Sequence, residues 1–273
     1  MDMWQGQTAL DLAPCRYGYS QLLFRGPPAD LDEPYIAFIG GTETVAPLVP
    51  HPFCEIVADE LGLECVNLGI KNAGVDVFLQ DPEILRIANG AEMVVIEVIG
   101  AANQSNNFYN VHPRRNDRFT RPRRLLRMGS KRLDLTEVHF TGHLHAEIQK
   151  AAPSLHNEVV ADCQSNWNQK MHQLIAAIER PVHLLRFAQS TASPSRAPFV
   201  DPDMVAGLAT VATTLTRVEP SKEALEEGTR GLFFAAMQAA MAGAMLPASV
   251  HAETAQALIE TISAAGHKKA RAG

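Results

Sequence analysis

Several common signatures are missing from this sequence, and each absence removes a class of protein. None of the four cysteines (Cys15, Cys54, Cys65, Cys163) stands in C-x-x-C spacing, which argues against zinc ribbons and dithiol redox sites. No apolar run reaches the ~20 residues that a membrane-spanning helix needs. The opening residues, "MDMWQGQTALDLAP", lack the basic start and apolar core of a secretory signal. A cytoplasmic protein with reduced thiols is the expectation, Cys54 and Cys65 being buried in apolar patterns. Excess positive charge is also lacking. A net charge of -6 and a pI of 5.9 argue against nucleic acid and anionic membrane as partners. No internal repeat is present.

What is there reads as an ordinary globular chain. Its 273 residues, 46% apolar and 20% charged, suffice for a full core. Five segments read as strands: 35–39 ("YIAFI"), 64–68 ("ECVNL"), 93–100 ("MVVIEVIG"), 182–188 ("VHLLRFA") and 214–219 ("TLTRVE"). Helical patterns lie between and after them at 51–63, 82–91, 154–180, 221–245 and 251–264. Continuous apolar strands alternating with helices predict a parallel sheet covered on both faces. The fold class expected is three-layer α/β/α with a five-stranded parallel, flavodoxin-like sheet. One domain spans 1–265 and a solvated tail 266–273. The polar stretch 101–150 breaks the rhythm and reads as an insertion over the C-terminal edge of the third strand, where open α/β sheets bind ligands. The loop 189–202 is expected at the same edge.

The turn "IGGTET" has three readings. Thr42 and Thr44 can cap the following helix, the glycine-rich backbone can cradle an anion, or Thr42 can be a nucleophile held on a turn. "GGTETVAP" matches neither G-x-x-x-x-G-K-[ST] nor G-x-G-x-x-G, so nucleotide binding of those two types is not expected.

Four blocks then follow one another: "IGGTET" with Thr42, "VNLGIKNAGVD" with Gly74, "VVIEVIGAANQSN" with Asn103, and "LPASVHAETAQALIETI" with His251. In this order they resemble the SGNH (GDSL-like) hydrolase superfamily. The resemblance covers 35–104 and 246–262 and hardly touches the middle of the chain. It implies an SGNH-like sheet and an ester hydrolase or acyltransferase acting on a small or carbohydrate-linked anionic substrate. Thr42 stands at the nucleophile position, His251 at the base, and Gly74 with Asn103 at the oxyanion hole. One oxyanion donor is worth ~10²–10³ in rate. The sequence departs from the pattern with Thr42 in place of serine, Gly41 in place of aspartate, and Ala248 where an acid holds the histidine. Loss of that acid costs ~10⁴ in rate where it has been measured. Glu43, Glu253 or a backbone carbonyl are the substitutes within reach. The blocks "GGTET", "NAGVD" and "HPRRNDRF" also resemble a family of uncharacterised bacterial proteins with no assigned function.

The segment 112–132 carries nine Lys or Arg residues against one acid, Asp117. A solvated basic surface is the plain reading. Anion recognition is the functional one, with Arg114, Arg115 and Arg118 as the forks. No interleaved aromatics support nucleic acid. His139, His143 and His145 in "VHFTGHLH" lack an H-E-x-x-H frame, and neither metal nor organic cofactor is expected. The Met-rich "FFAAMQAAMAGAMLP" reads as core or as a homo-oligomer interface. Two further functions stay open: a catalytically degenerate binding protein, and a transferase holding a sulfated or phosphorylated donor on the arginines.

Overall fold

In the computed structural model the described residues are 10–129, 133–188 and 197–272, with side chains as far as residue 266. In chain order come β1 (Tyr35–Ile39), α1 (Thr42–Val45), α2 (Phe53–Leu61), β2 (Glu64–Asn67), α3 (Val75–Leu79), α4 (Pro82–Gly90) and β3 (Met93–Glu97). A hairpin of β4 (Tyr109–His112) and β5 (Arg115–Pro122) follows, then α5 (Arg124–Gly129), α6 (Thr141–Ala151) and α7 (Pro153–Ala176). The rest comprises β6 (Val182–Phe187), α8 (Pro202–Ala209), β7 (Thr214–Val218), α9 (Lys222–Glu226), α10 (Ala239–Ala242) and α11 (Ala248–Ala272).

All five expected strands form and join one parallel sheet in the order β2-β1-β3-β6-β7. This is the flavodoxin-like order, with a topological switch point between β1 and β3. The central strands are buried on both sides, and their alternate residues divide between two cores. Ala37, Ile39, Val94 and Ile96 face Phe78 of α3, Ile84 and Ile87 of α4, and Trp167 and Met171 of α7. Ile36, Phe38, Val95 and Leu185 face Phe53 and Val57 of α2 and Val250, Leu258 and Ile262 of α11. Burying each of the Val, Leu, Ile, Phe and Met side chains among them contributes about 1.5–3 kcal/mol, so the sheet needs no crosslink. Among the described residues all four cysteines are free thiols, and burial pushes the Cys54 thiol up.

Local chemistry sets the helix ends. Asp81 caps α4 by accepting from Glu83 N–H at 3.0 Å, with Pro82 in the first turn. Gly62 ends α2 at φ 65°. The expected helix over 221–245 is broken instead: α9 stops where Gly228 and Gly231 take φ of 58° and 77°, and a short 3₁₀ turn precedes α10. The insertion is not a plain loop. Its hairpin slips register twice between Asn110 and His112, and α6 packs on α7. Among the described residues no helix is long and apolar enough to cross a membrane.

Candidate functional site at the carboxyl edge of the sheet

The turn after β1 is held by a buried carboxylate on the neighbouring strand. Glu97, the last residue of β3 and 3% exposed, accepts from Gly41 N–H at 2.8 Å, Thr44 N–H at 3.2 Å and Thr44 Oγ1 at 2.6 Å. A Cβ on Gly40 would meet Thr44 Oγ1 and Glu97, so the first glycine is there for space. Neither threonine caps α1. Thr44 binds Glu97, and Thr42 reaches across to the loop after β2.

That reach is the centre of the site. Asn72 lies in the left-handed region at φ 54°, and its N–H donates to Thr42 Oγ1 at 3.0 Å. The Thr42 hydroxyl donates in turn to Asn72 Oδ1 at 3.2 Å. Asn103 sits beside them. Its Nδ2 donates to Asn72 O at 3.0 Å, and its Oδ1 accepts from Thr141 Oγ1 at 2.5 Å.

Gly74 is placed differently from expectation. Its N–H donates to Asn116 Oδ1 at 3.1 Å, the same atom that accepts from Val77 N–H at 3.1 Å. Asn116 thus caps the first turn of α3 and takes the donor that the SGNH pattern assigns to an oxyanion. A Cβ at Gly74 would fall on the Asn103 carbonyl. Close approach of two loops, not an available N–H, is what this glycine provides.

His251 likewise stands apart from Thr42. It is 1% exposed in α11 and stacked on Phe53 at 5.8 Å and 18°. Its Nδ1 accepts from Phe53 N–H at 3.4 Å, and its Nε2 lies 4.0 Å from Glu43 Oε2. Of the substitute acids, Glu43 therefore faces the imidazole. Glu253 does not: it accepts from Ser221 N–H at 3.1 Å and Ser221 Oγ at 2.5 Å.

Thr42, Glu43, Asn72, Glu97 and Asn103 all line one cavity of ≈ 350 Å³, with Lys71, Pro198 and Met245 on its other walls. Lys71 Nζ contacts Met241 Sδ at 3.2 Å. Of the Met-rich segment, Met245 is buried, whereas Met237 is 92% exposed. Lys71 and Asn72 also line an adjoining groove of ≈ 760 Å³, together with Arg16, His112, Arg114 and Arg115. Arg118 is not among the groove's walls. Strand alternation turns it away from Arg115 and Asp117, and its backbone bridges Phe140 instead.

The histidines of 139–145 do not share a helix face, because α6 begins at Thr141. His143 lies 3.8 Å from Glu147. His145 is buried between Tyr109 Oη at 3.0 Å and His156 Nε2 at 3.2 Å. Burial, and then the neighbouring His156, bring its pKa down to about 4. Tyr109 Oη donates to Ala102 O at 2.6 Å, tying this cluster to the turn before Asn103. Among the described residues no three His, Cys, Asp or Glu side chains are placed to hold a metal ion. The 189–196 part of the loop expected at this edge lies outside the described residues.

Asn72 and Glu97 were not singled out as site residues by the sequence. Glu97 had a usable signal, a lone carboxylate inside a fully buried strand. Asn72 had only the turn-forming look of Asn near Gly.

The order of strands and a cavity at their carboxyl ends define a three-layer α/β/α protein with a five-stranded parallel sheet in the flavodoxin-like order. The chain belongs to the family described as Domain of unknown function (DUF6473), whose sequence model matches residues 1–266. No protein of curated function matches it. Among solved structures it is similar to a catalytic mutant of Axe2, an acetylxylan esterase from Geobacillus stearothermophilus, with a TM-score of 0.41, 13% identity, and coverage of 83% of this chain and 93% of that one. It is also similar to the lipase Lip_vut3 from a goat rumen metagenome, with a TM-score of 0.41, 13% identity, and coverage of 85% and 97%.

Proposed function

We propose that the protein is an ester hydrolase or acyltransferase for a small or carbohydrate-linked anionic substrate, with Thr42 as the nucleophile. The observation that carries this reading is the Asn72 N–H aimed at Thr42 Oγ1 at 3.0 Å. A backbone donor on Oγ1 favours the alkoxide that forms as the hydroxyl loses its proton. Asn72 assists the nucleophile in this reading and Gly74 shapes the loop. The substrate's anionic group lies along Lys71, Arg16, Arg114 and Arg115, which continue from the cavity into the groove.

The hydroxyl proton needs a base within reach. We assign that role to Glu43, the carboxylate on the same cavity wall with His251 behind it at 4.0 Å, which the Thr42 hydroxyl reaches by turning from Asn72 Oδ1. Attack forms the bond from Thr42 Oγ1 to the acyl carbon. The alcohol leaves with the proton, and water or an acceptor alcohol then releases the acyl group.

A short-chain activated ester and a fluorophosphonate probe test the reading on wild type, Thr42→Ala and Glu43→Gln. Turnover and labelling in wild type, lost in both variants, are expected. Absence of both in wild type between pH 6 and 9 would sink it.

A second reading, a ligand-binding protein that has kept the cavity without acyl chemistry, is favoured by one observation. Thr42 Oγ1 is hydrogen-bonded to Asn72 and not to His251. This reading expects no labelling, with stabilisation by anions that is lost in Arg114→Ala and Arg115→Ala.

A further inference from the structure

A second and larger cavity, of ≈ 740 Å³, opens at the carboxyl ends of β6 and β7. Arg186 and Arg217 are register partners on these adjacent parallel strands. Partners in register project to the same face from strands ~4.8 Å apart, so two guanidinium groups lie side by side on one wall. Arg186 is half-buried. Among the described residues its Nη1 is buried with no hydrogen-bond partner, and its Nη2 donates to Val200 O at 3.3 Å. Burial, and then the charge of Arg217, lower the pKa of Arg186.

Neither arginine forms an ion pair among the described residues. The two acids on the rim do not supply one: Asp201 caps α8 by accepting from Met204 N–H at 2.9 Å, and Glu219 is exposed. Two neighbouring guanidinium groups with a buried donor left over are costly unless an acceptor bridges them. The remaining walls are mostly apolar, with Ala188, Pro198, Phe199 and Val205, and the volume suits a small organic molecule.

We propose that this cavity binds an organic carboxylate with an apolar body, the carboxylate bridging Arg186 and Arg217 and the body lying on Phe199, Pro198 and Val205. The rim acids set the charge class. With Asp201 and Glu219 on the rim the four side-chain charges already balance, so each further negative charge on a ligand is opposed and a monoanion is favoured over a dianion such as phosphate. Pro198 lines both this cavity and that of Thr42, so the two are neighbours at one sheet edge. The assignment rests on no part of the acyl-transfer reading.

Calorimetric titration of the full chain with octanoate, octanol and inorganic phosphate tests it. Saturable octanoate binding is expected, weakened by about tenfold or more in Arg217→Met, with no saturable octanol signal and no phosphate signal that Arg217→Met weakens. Arg217 is exposed, so its replacement leaves the fold intact and carries the test if Arg186→Met does not fold. Thr42→Ala is expected to bind octanoate as wild type does, which separates this site from the acyl-transfer cavity. Four outcomes overturn the proposal: no saturable octanoate binding, unchanged affinity in Arg217→Met, phosphate binding tighter than that of octanoate and weakened in Arg217→Met, or loss of octanoate binding in Thr42→Ala.

Discussion

The backbone N–H of Asn72 donates to the Thr42 hydroxyl at 3.0 Å, tying the turn after β1 to the loop after β2. Asn72 makes this bond from the left-handed region, φ 54°, where a Cβ without a local hydrogen bond is penalised. Asn72→Gly keeps the turn and its N–H. Asn72→Ala is expected to be less stable than the glycine variant by about 1–2 kcal/mol, read from urea unfolding midpoints.

Gly74→Ala drives a Cβ onto the carbonyl of Asn103. Backbone on both sides leaves little room to relax, so a loss of about 3 kcal/mol is expected. A thermal melt checks it, and a variant as stable as wild type would contradict the close approach of the two loops.

Glu97 gathers two backbone N–H groups and a hydroxyl in a buried place. Glu97→Ala strands all three donors and is expected to cost on the order of 3 kcal/mol or more. Glu97→Gln retains a carbonyl acceptor and is expected to cost less. Equal unfolding free energies for the two variants would show that the carboxylate is not what holds the Gly40–Gly41 turn.

Acid is expected to weaken the fold through two buried histidines. His145 and His183 have pKa values brought down to about 4, by burial in each case and in His145 also by His156. The unfolded chain takes up these protons near pH ~6.5, whereas the folded chain resists until pH is near 4. Between those values the unfolded state holds more protons, so stability rises with pH. It is fully present above ~6.5 and lost as pH falls toward the folded pKa, by up to about 1.4 kcal/mol per pH unit for each histidine. Unfolding free energies at pH 7.5, 6 and 5 measure the slope. His145→Gln and His183→Gln are each expected to flatten part of it, and an unchanged slope in both would contradict the assignment.

The sheet was legible because continuous apolar runs such as "YIAFI" and "MVVIE" have no use but burial on both faces. Helix α4 was legible for a local reason too, the Asp81-Pro82 start. The stretch 221–245 misled because its apolar spacing is helical, while Gly228 and Gly231 turn the chain away at positive φ. Of the candidate residues, Thr42 and Asn103 do meet in one cavity, and Arg114 and Arg115 do line the adjoining groove. Gly74 and His251 have their polar atoms directed elsewhere.

By itself, then, the sequence determined the strands, the layers and the edge at which a ligand can sit, since these follow from local periodicity and the rule that buried strands stack parallel between helices. Only the tertiary structure decided which polar groups meet there. A hydrogen bond such as Asn72 to Thr42, or a guanidinium pair such as Arg186 and Arg217, joins residues thirty or more positions apart. Its existence depends on strand order, register and the direction each loop leaves the sheet, and none of these is written in the residues that make the contact.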